Sequence, residues 1–272
     1  MLQKAIIIHG CKKQYELQQG CSTRFEYLGT LFSKRIFEGT VMMGVTIGVD
    51  IDGTIAGRNL QRFKEACNQE FHLSITPEKL ESLNYWQFIN SQEVQQYQEQ
   101  VGKEVFEEAT YQIEQDPAML AILPTFPHAV EGLRYLRNFG TISYYTVRKH
   151  SDPEKARQLH KVTREWLASH TFPNPDNVVI CQSALAKVVR MHEGEADNQN
   201  SLLLIDDFVS RILSDFHIVE SKDKSLAQSL RQRMTLVLFG SNITPDTNPH
   251  LRVTCLPDWS HIQNLDWLFS QV

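Results

Sequence analysis

Asp50 and Asp52 sit one residue apart in the stretch TIGVDIDGTI, at the end of a run of β-forming residues. Gly53-Thr54 follows at once. Later in the chain Thr146 closes TISYYT, Lys187 follows NVVIC by a few residues, and Asp206-Asp207 close SLLLI. Three or four carboxylates do not stay ionised side by side without a compensating cation. Oxygen-only ligands, few in number and with room for water and a phosphate, suit Mg²⁺. Lys187 and the Thr146 hydroxyl add a positive charge and a donor, which a phosphate dianion needs and a bare metal site does not. The paired acids therefore read as a nucleophile and its acid/base partner, held around Mg²⁺ to act on a phosphoryl group.

Such residues need a scaffold that brings them to one place. VTIGVDID has the continuous apolar character of a strand buried on both faces. TISYYTV, NVVIC, SLLLID and TLVLFG read as further strands. Helical periods at 128–139 and 154–169, and a polar helical stretch near 222–233, alternate with them. This alternation predicts an α/β fold, a Rossmann-like parallel sheet with helices on both faces. In such sheets ligands bind beyond the carboxyl ends of the strands, near a switch in strand order. Residues two apart on a strand share a face, so Asp50 and Asp52 are expected to address one site. Gly53 lets the following loop approach a phosphate closely. Thr54 either donates to that phosphate or belongs to a plain turn.

The segments outside this alternation differ in kind. Residues 57–124 read as wholly helical, an inserted all-helical block ended by PTFP, with one apolar face running through 93–114. The core is then 45–56 and 125–272. Residues 1–44 carry six Lys/Arg against three Asp/Glu with no sustained period. They read either as an extension preceding a natural start at Met42 or Met43, or as an ordinary N-terminal arm. Five scattered cysteines, Cys11, Cys21, Cys67, Cys181 and Cys255, lack metal or redox spacing. Reduced thiols and a cytoplasmic setting are expected from them. A net charge of −5 gives no footprint for a nucleic-acid polymer, and no apolar run is long enough to cross a membrane.

DIDGT, the strand-ending Thr146, Lys187 and the DD pair occur in the order of the four motifs of the haloacid dehalogenase superfamily, which the chain resembles from about Val45 onward. The resemblance implies that Asp50 becomes an aspartyl-phosphate. Asp52 would be the acid that protonates the leaving alcohol and then the base that activates water. It also implies that Thr146 and Lys187 hold phosphate oxygens. Asp206, supported by Asp207, would hold Mg²⁺ together with Asp50 and the Asp52 main-chain carbonyl. An acid at Asp52 favours a phosphatase. The block at 57–124 corresponds to a C1-type cap that closes over the site, and the layout resembles the 5′(3′)-deoxyribonucleotidase branch, including a late Asn242 and Trp259 in SN…LPDW.

The cap carries eleven Asp/Glu and five Lys/Arg, which favours a small phosphorylated metabolite over a polyanion. Tyr85, Trp86 and Phe88 either stack a substrate ring or pack the cap's own core. Arg148 either reaches a phosphate or substrate hydroxyl or lies solvated on the surface. Asp215 belongs to an outer metal shell or to the surface. The expected activity is a Mg²⁺-dependent phosphomonoesterase, with a 5′-nucleotidase as the finer form. A phosphatase of a sugar phosphate or phospho-acid, and a catalytically silent binding protein of this fold, are the alternatives. Oligomeric state is not legible.

Overall fold

The apolar run ahead of Asp50 becomes the centre of a sheet. The computed structural model describes residues 44–195, 200–241 and 251–269. The segment expected to precede the core lies outside these residues except for Gly44. In chain order the elements are β1 (Val45–Val49), α1 (Leu60–Glu70), α2 (Pro77–Ser82), α3 (Tyr85–Ile89), α4 (Gln92–Val101), α5 (Lys103–Glu114) and α6 (Pro117–Leu120). These are followed by α7 (Ala129–Leu136), β2 (Gly140–Thr146), α8 (Pro153–Ser169), β3 (Val178–Ile180), α9 (Ala184–Gly194), β4 (Ser201–Asp206), α10 (Val209–Lys222) and α11 (Lys224–Arg233). β5 (Met234–Phe239), β6 (Arg252–Leu256), a 3₁₀ helix (Trp259–Leu265) and α12 (Asp266–Phe269) complete the list.

The six strands form one parallel sheet in the order β3-β2-β1-β4-β5-β6. The chain builds outward from β1 through β2 to β3 and then returns to place β4 on the other side of β1. That reversal is the switch point where a crevice opens. The fold is the Rossmann-like α/β sheet that the alternation predicts. Alternate strand residues face different layers. Ile47, Val49, Leu203 and Ile205 join one buried cluster with Leu133, Trp166 and Trp259. Leu202 and Leu204 join another with Val188, Ile212 and Phe216. Helices thus cover both faces, as a parallel sheet requires. β6 was not expected from sequence; RVTCL is only partly buried at the sheet's edge, so it lacks the apolar run that marks the other strands.

β1 stops at Val49, one residue before the first aspartate. Asp52 therefore lies in the turn after the strand, where its backbone bridges to Ala56. Asp50 and Asp52 nonetheless line one cavity, as expected, although the turn and not the pleat places Asp52 there.

The block between β1 and α7 has its own interior. Phe63, Cys67, Phe71, Ile75, Leu80, Phe88, Val94 and Phe106 form a third buried cluster drawn from this block alone. The apolar period over 93–114 belongs to two helices, not one. Gly102, at φ +91°, ψ 145°, separates α4 from α5 in a conformation that only glycine adopts readily. Lys64 is buried inside the block and donates to the main-chain carbonyls of Leu80 and Leu83 at the end of α2. Its ammonium thus meets orphan carbonyls at a helix C-terminus. The way into and out of the block is a pair of adjacent backbone segments. Gly57 N donates to Pro124 O at 2.8 Å and Phe126 N to Ile55 O at 2.9 Å, around an antiparallel bridge between Ala56 and Thr125.

No helix among the described residues is long and apolar enough to cross a membrane.

Because the insert has a separate core, Phe88→Ala should cost about 3–5 kcal/mol there. Limited proteolysis of this variant should cut first within 60–120 while the sheet stays resistant. Uniform digestion of the whole chain would contradict an independent interior.

Candidate active site

The strand register does the first part of the assembly. Val49 lies opposite Ile205 on β4, and Asp50 N donates to Ile205 O at 2.9 Å, so Asp50 and Asp206 emerge beside each other. Lys187 comes from α9, whose start is capped by the Ser183 hydroxyl accepting from Ala186 N. The cap places Lys187 in the first turn, and its ammonium bridges the two acids, at 2.8 Å from Asp50 Oδ1 and 2.7 Å from Asp206 Oδ2. All three side chains are buried. Asp206 Oδ1 also accepts from Phe208 N at 2.7 Å. A carboxylate oxygen from each of Asp50, Asp206 and Asp207 lies within 4.8 Å of the others. Asp207 stands at the exposed side of this cluster.

Asp52 belongs to a second group. Arg148 donates from Nε to Asp52 Oδ2 at 3.0 Å and from Nη2 to Oδ1 at 2.8 Å. Its Nη1 donates to the Thr163 hydroxyl on α8 at 2.6 Å. The Thr146 hydroxyl donates to Asp52 Oδ2 at 3.0 Å. Arg148 is therefore neither a surface residue nor free to meet a phosphate; it is buried and grips Asp52 in a two-pronged pair. The Thr146 hydroxyl, too, is directed at Asp52 in this state.

Gly53 and Thr54 serve the loop itself. Gly53 has φ +84°, and a side chain there would begin 2.2 Å from Asp207 Oδ2. Its amide donates to Ala56 O at 2.9 Å. Thr54 is fully buried. Its hydroxyl accepts from Asp207 N at 3.1 Å, and its carbonyl accepts from Trp259 Nε1 at 2.7 Å. The Gly53 amide and the Thr54 hydroxyl both take part in bonds of the turn, the plain-turn alternative for Thr54. They lock the loop after Asp50 to the loop after Asp206.

Charge explains the protonation states. Burial raises Asp50 well above the usual carboxylate range; Lys187 opposes this, but Asp206, Asp52 and Asp207 add to it. Asp207 is pushed up to about 6 by desolvation within the cleft and by the Asp206 carboxylate beside it. Burial alone would raise Asp52 as well, yet the charge and hydrogen bonds of Arg148, with the Thr146 hydroxyl, hold it below its ordinary value. Lys187 is desolvated, but Asp50 and Asp206 outweigh that and keep it charged. Four acids face two fixed cations, a shortfall of two positive charges. An oxygen-only cluster with that shortfall fits one divalent ion such as Mg²⁺. Asp50, Asp206 and Asp207 are the side chains placed to hold it. The Asp52 carboxylate is not, since Arg148 and Thr146 occupy it.

Two cavities meet at Asp52 and Asp207. One, of about 460 Å³, is lined by Asp50, Thr146, Lys187 and Arg211, with Tyr111 from α5. The other, of about 320 Å³, lies against the insert and is lined by Arg58, Phe63, Glu114 and Gln115. Tyr85, Trp86 and Phe88 line neither. Phe88 is buried in the insert's core, Tyr85 packs on Phe63 with the Arg58 guanidinium 4.3 Å from its ring centroid, and Trp86 is 63% exposed. Asp215 pairs with Arg211 at 2.8 Å on α10. Asn242, part of the late resemblance, lies outside the described residues; its companion Trp259 is the loop anchor described above. Tyr111, Glu114 and Gln115 were not singled out from sequence. Their only signal is the spacing that puts Tyr111 and Gln115 one turn apart.

No family model matches the chain, and no curated protein does. Thirty-three chains of solved structures match. They include a HAD-superfamily hydrolase of subfamily IA, variant 1, from Geobacter sulfurreducens PCA, at 12% identity and TM-score 0.47 over 85% of this chain and 99% of that one. A 2-haloacid dehalogenase from Pseudomonas syringae pv. Tomato DC3000 matches at 12% identity and TM-score 0.45, over 85% and 100%. A HAD family hydrolase from Deinococcus radiodurans R1, with bound phosphate and sodium, matches at 11% identity and TM-score 0.43, over 85% and 98%. At these identities and scores the likeness carries no argument about chemistry, which rests on the side chains above.

The raised carboxyls give a signed pH dependence. Asp50 and Asp207 favour the protonated form in the metal-free fold, so their contribution to stability is present at low pH and is lost as pH rises through about 6 for Asp207. A divalent ion must displace those protons. Saturating Mg²⁺ should therefore raise Tm by roughly 5 °C or more at neutral pH and much less near pH 5. Asp207→Asn, which removes one like charge, should raise the metal-free Tm at neutral pH and shrink the Mg²⁺ effect. Equal Mg²⁺ shifts at both pH values would contradict this assignment of the acids.

Proposed function

We propose that the chain is a Mg²⁺-dependent phosphomonoester hydrolase of the haloacid dehalogenase superfamily, working through an aspartyl-phosphate on Asp50. The observation that carries the reading is the convergence of Asp50, Asp206 and Asp207 oxygens within 4.8 Å, beside the buried Lys187 ammonium. An acid at Asp52 favours ester cleavage over dehalogenation, since a departing alkoxide needs a proton and a departing halide does not. In the 460 Å³ cavity Lys187 and Thr146 line the space that a phosphate would take.

Mg²⁺ held by Asp50, Asp206 and Asp207 would supply charge neutralisation between carboxylate and phosphate. The rest falls to the side chains. Lys187 orients Asp50 and opposes its protonation, and the bound cation would displace the proton that burial favours. An Asp50 oxygen attacks phosphorus, a P–O bond forms, and the ester P–O bond breaks. Asp52 gives a proton to the departing oxygen, then takes one from the water that attacks the acyl phosphate. Asp50 is regenerated and inorganic phosphate leaves.

The Arg148 grip bears on this sequence. It stabilises the Asp52 carboxylate, which is the base form and not the acid form. A phosphate dianion that took over the Thr146 hydroxyl would remove one of these stabilising bonds and bring negative charge beside Asp52. Both changes raise its affinity for a proton. Substrate arrival would thus prepare the acid that the first step requires. The finer reading, a 5′-nucleotidase on (deoxy)nucleoside monophosphates, follows the layout of the resembling branch.

Phosphate release with Mg²⁺ should be measured over nucleoside monophosphates, sugar phosphates and phospho-acids. Asp50→Asn should lose activity by at least about 1,000-fold. Asp52→Asn should lose about 100- to 10,000-fold on alkyl esters, and less on acetyl phosphate, whose leaving group needs no proton. No release from any ester would instead favour a silent binding protein. Full activity in Asp50→Asn would place the chemistry elsewhere.

A further inference from the structure

The smaller cavity contains a group that the fold leaves unsatisfied. Gln115 ends α5 and is only 6% exposed, yet its buried side-chain carbonyl accepts no hydrogen bond. A buried acceptor without a donor is unfavourable, and natural structures keep few of them. The main-chain N–H of Gln115 ends the helix, donating to Tyr111 O at 3.0 Å. The side-chain amide lines a cavity that Asp52 also lines.

The rest of the lining defines what fits. Phe63, Met119 and Phe126 supply apolar and aromatic surface. Arg58 is already paired with Glu114 at 2.8 Å, so its charge is not free for a second anion. Asp52 and Asp207 are the other charged groups on the wall, so the lining offers an anionic guest no unpaired cation. At about 320 Å³ the space is at the small end of ligand pockets. Asp52 borders both cavities, which puts it where a scissile oxygen would pass from one to the other.

We propose that this cavity is the leaving-group subsite, that it takes an uncharged group with an apolar face and a hydrogen-bonding edge, and that Gln115 reads that edge. The inference rests on the phosphomonoesterase reading and selects within it. Esters of neutral alcohols, a nucleoside or a hexose, are substrates, and phospho-acids with a second carboxylate are excluded. Gln115 is a specificity residue for the leaving group, not a participant in phosphoryl transfer.

The test compares kcat/KM for uridine 5′-monophosphate, glucose 6-phosphate, phosphoglycolate and acetyl phosphate, with wild type and Gln115→Met. The acetyl group is far too small to fill a cavity of about 320 Å³. Wild type should favour the better of the two neutral-alcohol esters over phosphoglycolate by at least about 10-fold. Gln115→Met should lower kcat/KM for that ester about 3- to 10-fold relative to acetyl phosphate, mainly through KM, as loss of one neutral hydrogen bond implies. Its Tm should not fall, because an orphan acceptor has been removed. A wild-type readout holds even if the variant fails to fold: the free nucleoside or hexose should inhibit acetyl phosphate hydrolysis better than glycolate does. If acetyl phosphate is hydrolysed but phosphoglycolate is preferred, or the variant slows both substrates equally, the subsite is overturned while the phosphatase reading stands. If wild type hydrolyses nothing, both fall.

Discussion

Too much negative charge in too little space is the constraint that organises this molecule. Asp50 and Asp206 emerge from neighbouring strands with their carboxylates buried, and a single ammonium separates them. Removing one partner of such a buried pair costs about 3–5 kcal/mol, more than the Ser183 cap at the start of the helix that carries Lys187, worth about 0.5–2 kcal/mol. Lys187 cannot also neutralise Asp52 and Asp207. Asp52 is turned to Arg148 instead, and Asp207 is left with a raised proton affinity at the cleft mouth. The remaining deficit is what makes a divalent cation the fitting partner.

The two aspartates of the first motif thus differ in proton affinity because they differ in neighbours. Asp50 is crowded by acids and relieved by a lysine; Asp52 is gripped by an arginine and touched by a threonine hydroxyl. Environments that push two carboxyls apart in proton affinity are how one site performs both nucleophilic and acid/base work. The separation depends on a rigid floor. Thr54, held by the Asp207 amide and by Trp259, ties the loops after β1 and β4 together, so neither acid can drift toward the other's partner.

The sheet was legible because buried parallel strands are written as unbroken apolar runs, and the motif acids because they follow such runs directly. Lys187 was legible by position but not by element, since the helix that carries it begins only three residues earlier. The Arg148 grip was not legible: nothing local separates a solvated arginine from one buried against a distant carboxylate 96 residues away. Thr54 stayed open between a phosphate donor and a plain turn because a loop's hydrogen bonds cannot be allocated until its neighbours are known. The aromatic trio illustrates a similar limit. Tyr85, Trp86 and Phe88 are adjacent in sequence, but a short helix splits them among a buried, a partly covered and an exposed setting. Gly102, which divides one apolar period into two helices, was visible as a residue but not as a break, because glycine alone does not fix its own φ.

The bridge between Ala56 and Thr125 has an architectural consequence. The chain leaves and rejoins the α/β body through one doorway, with its two jambs hydrogen-bonded to each other. Everything beyond that doorway is topologically a long hairpin loop. Its length and content can change without altering strand order or register, so the parent sheet can carry lids of many shapes on an unchanged chemical floor. In the proposed enzyme, residues that choose a substrate and residues that break its bond would then be free to diversify at different rates.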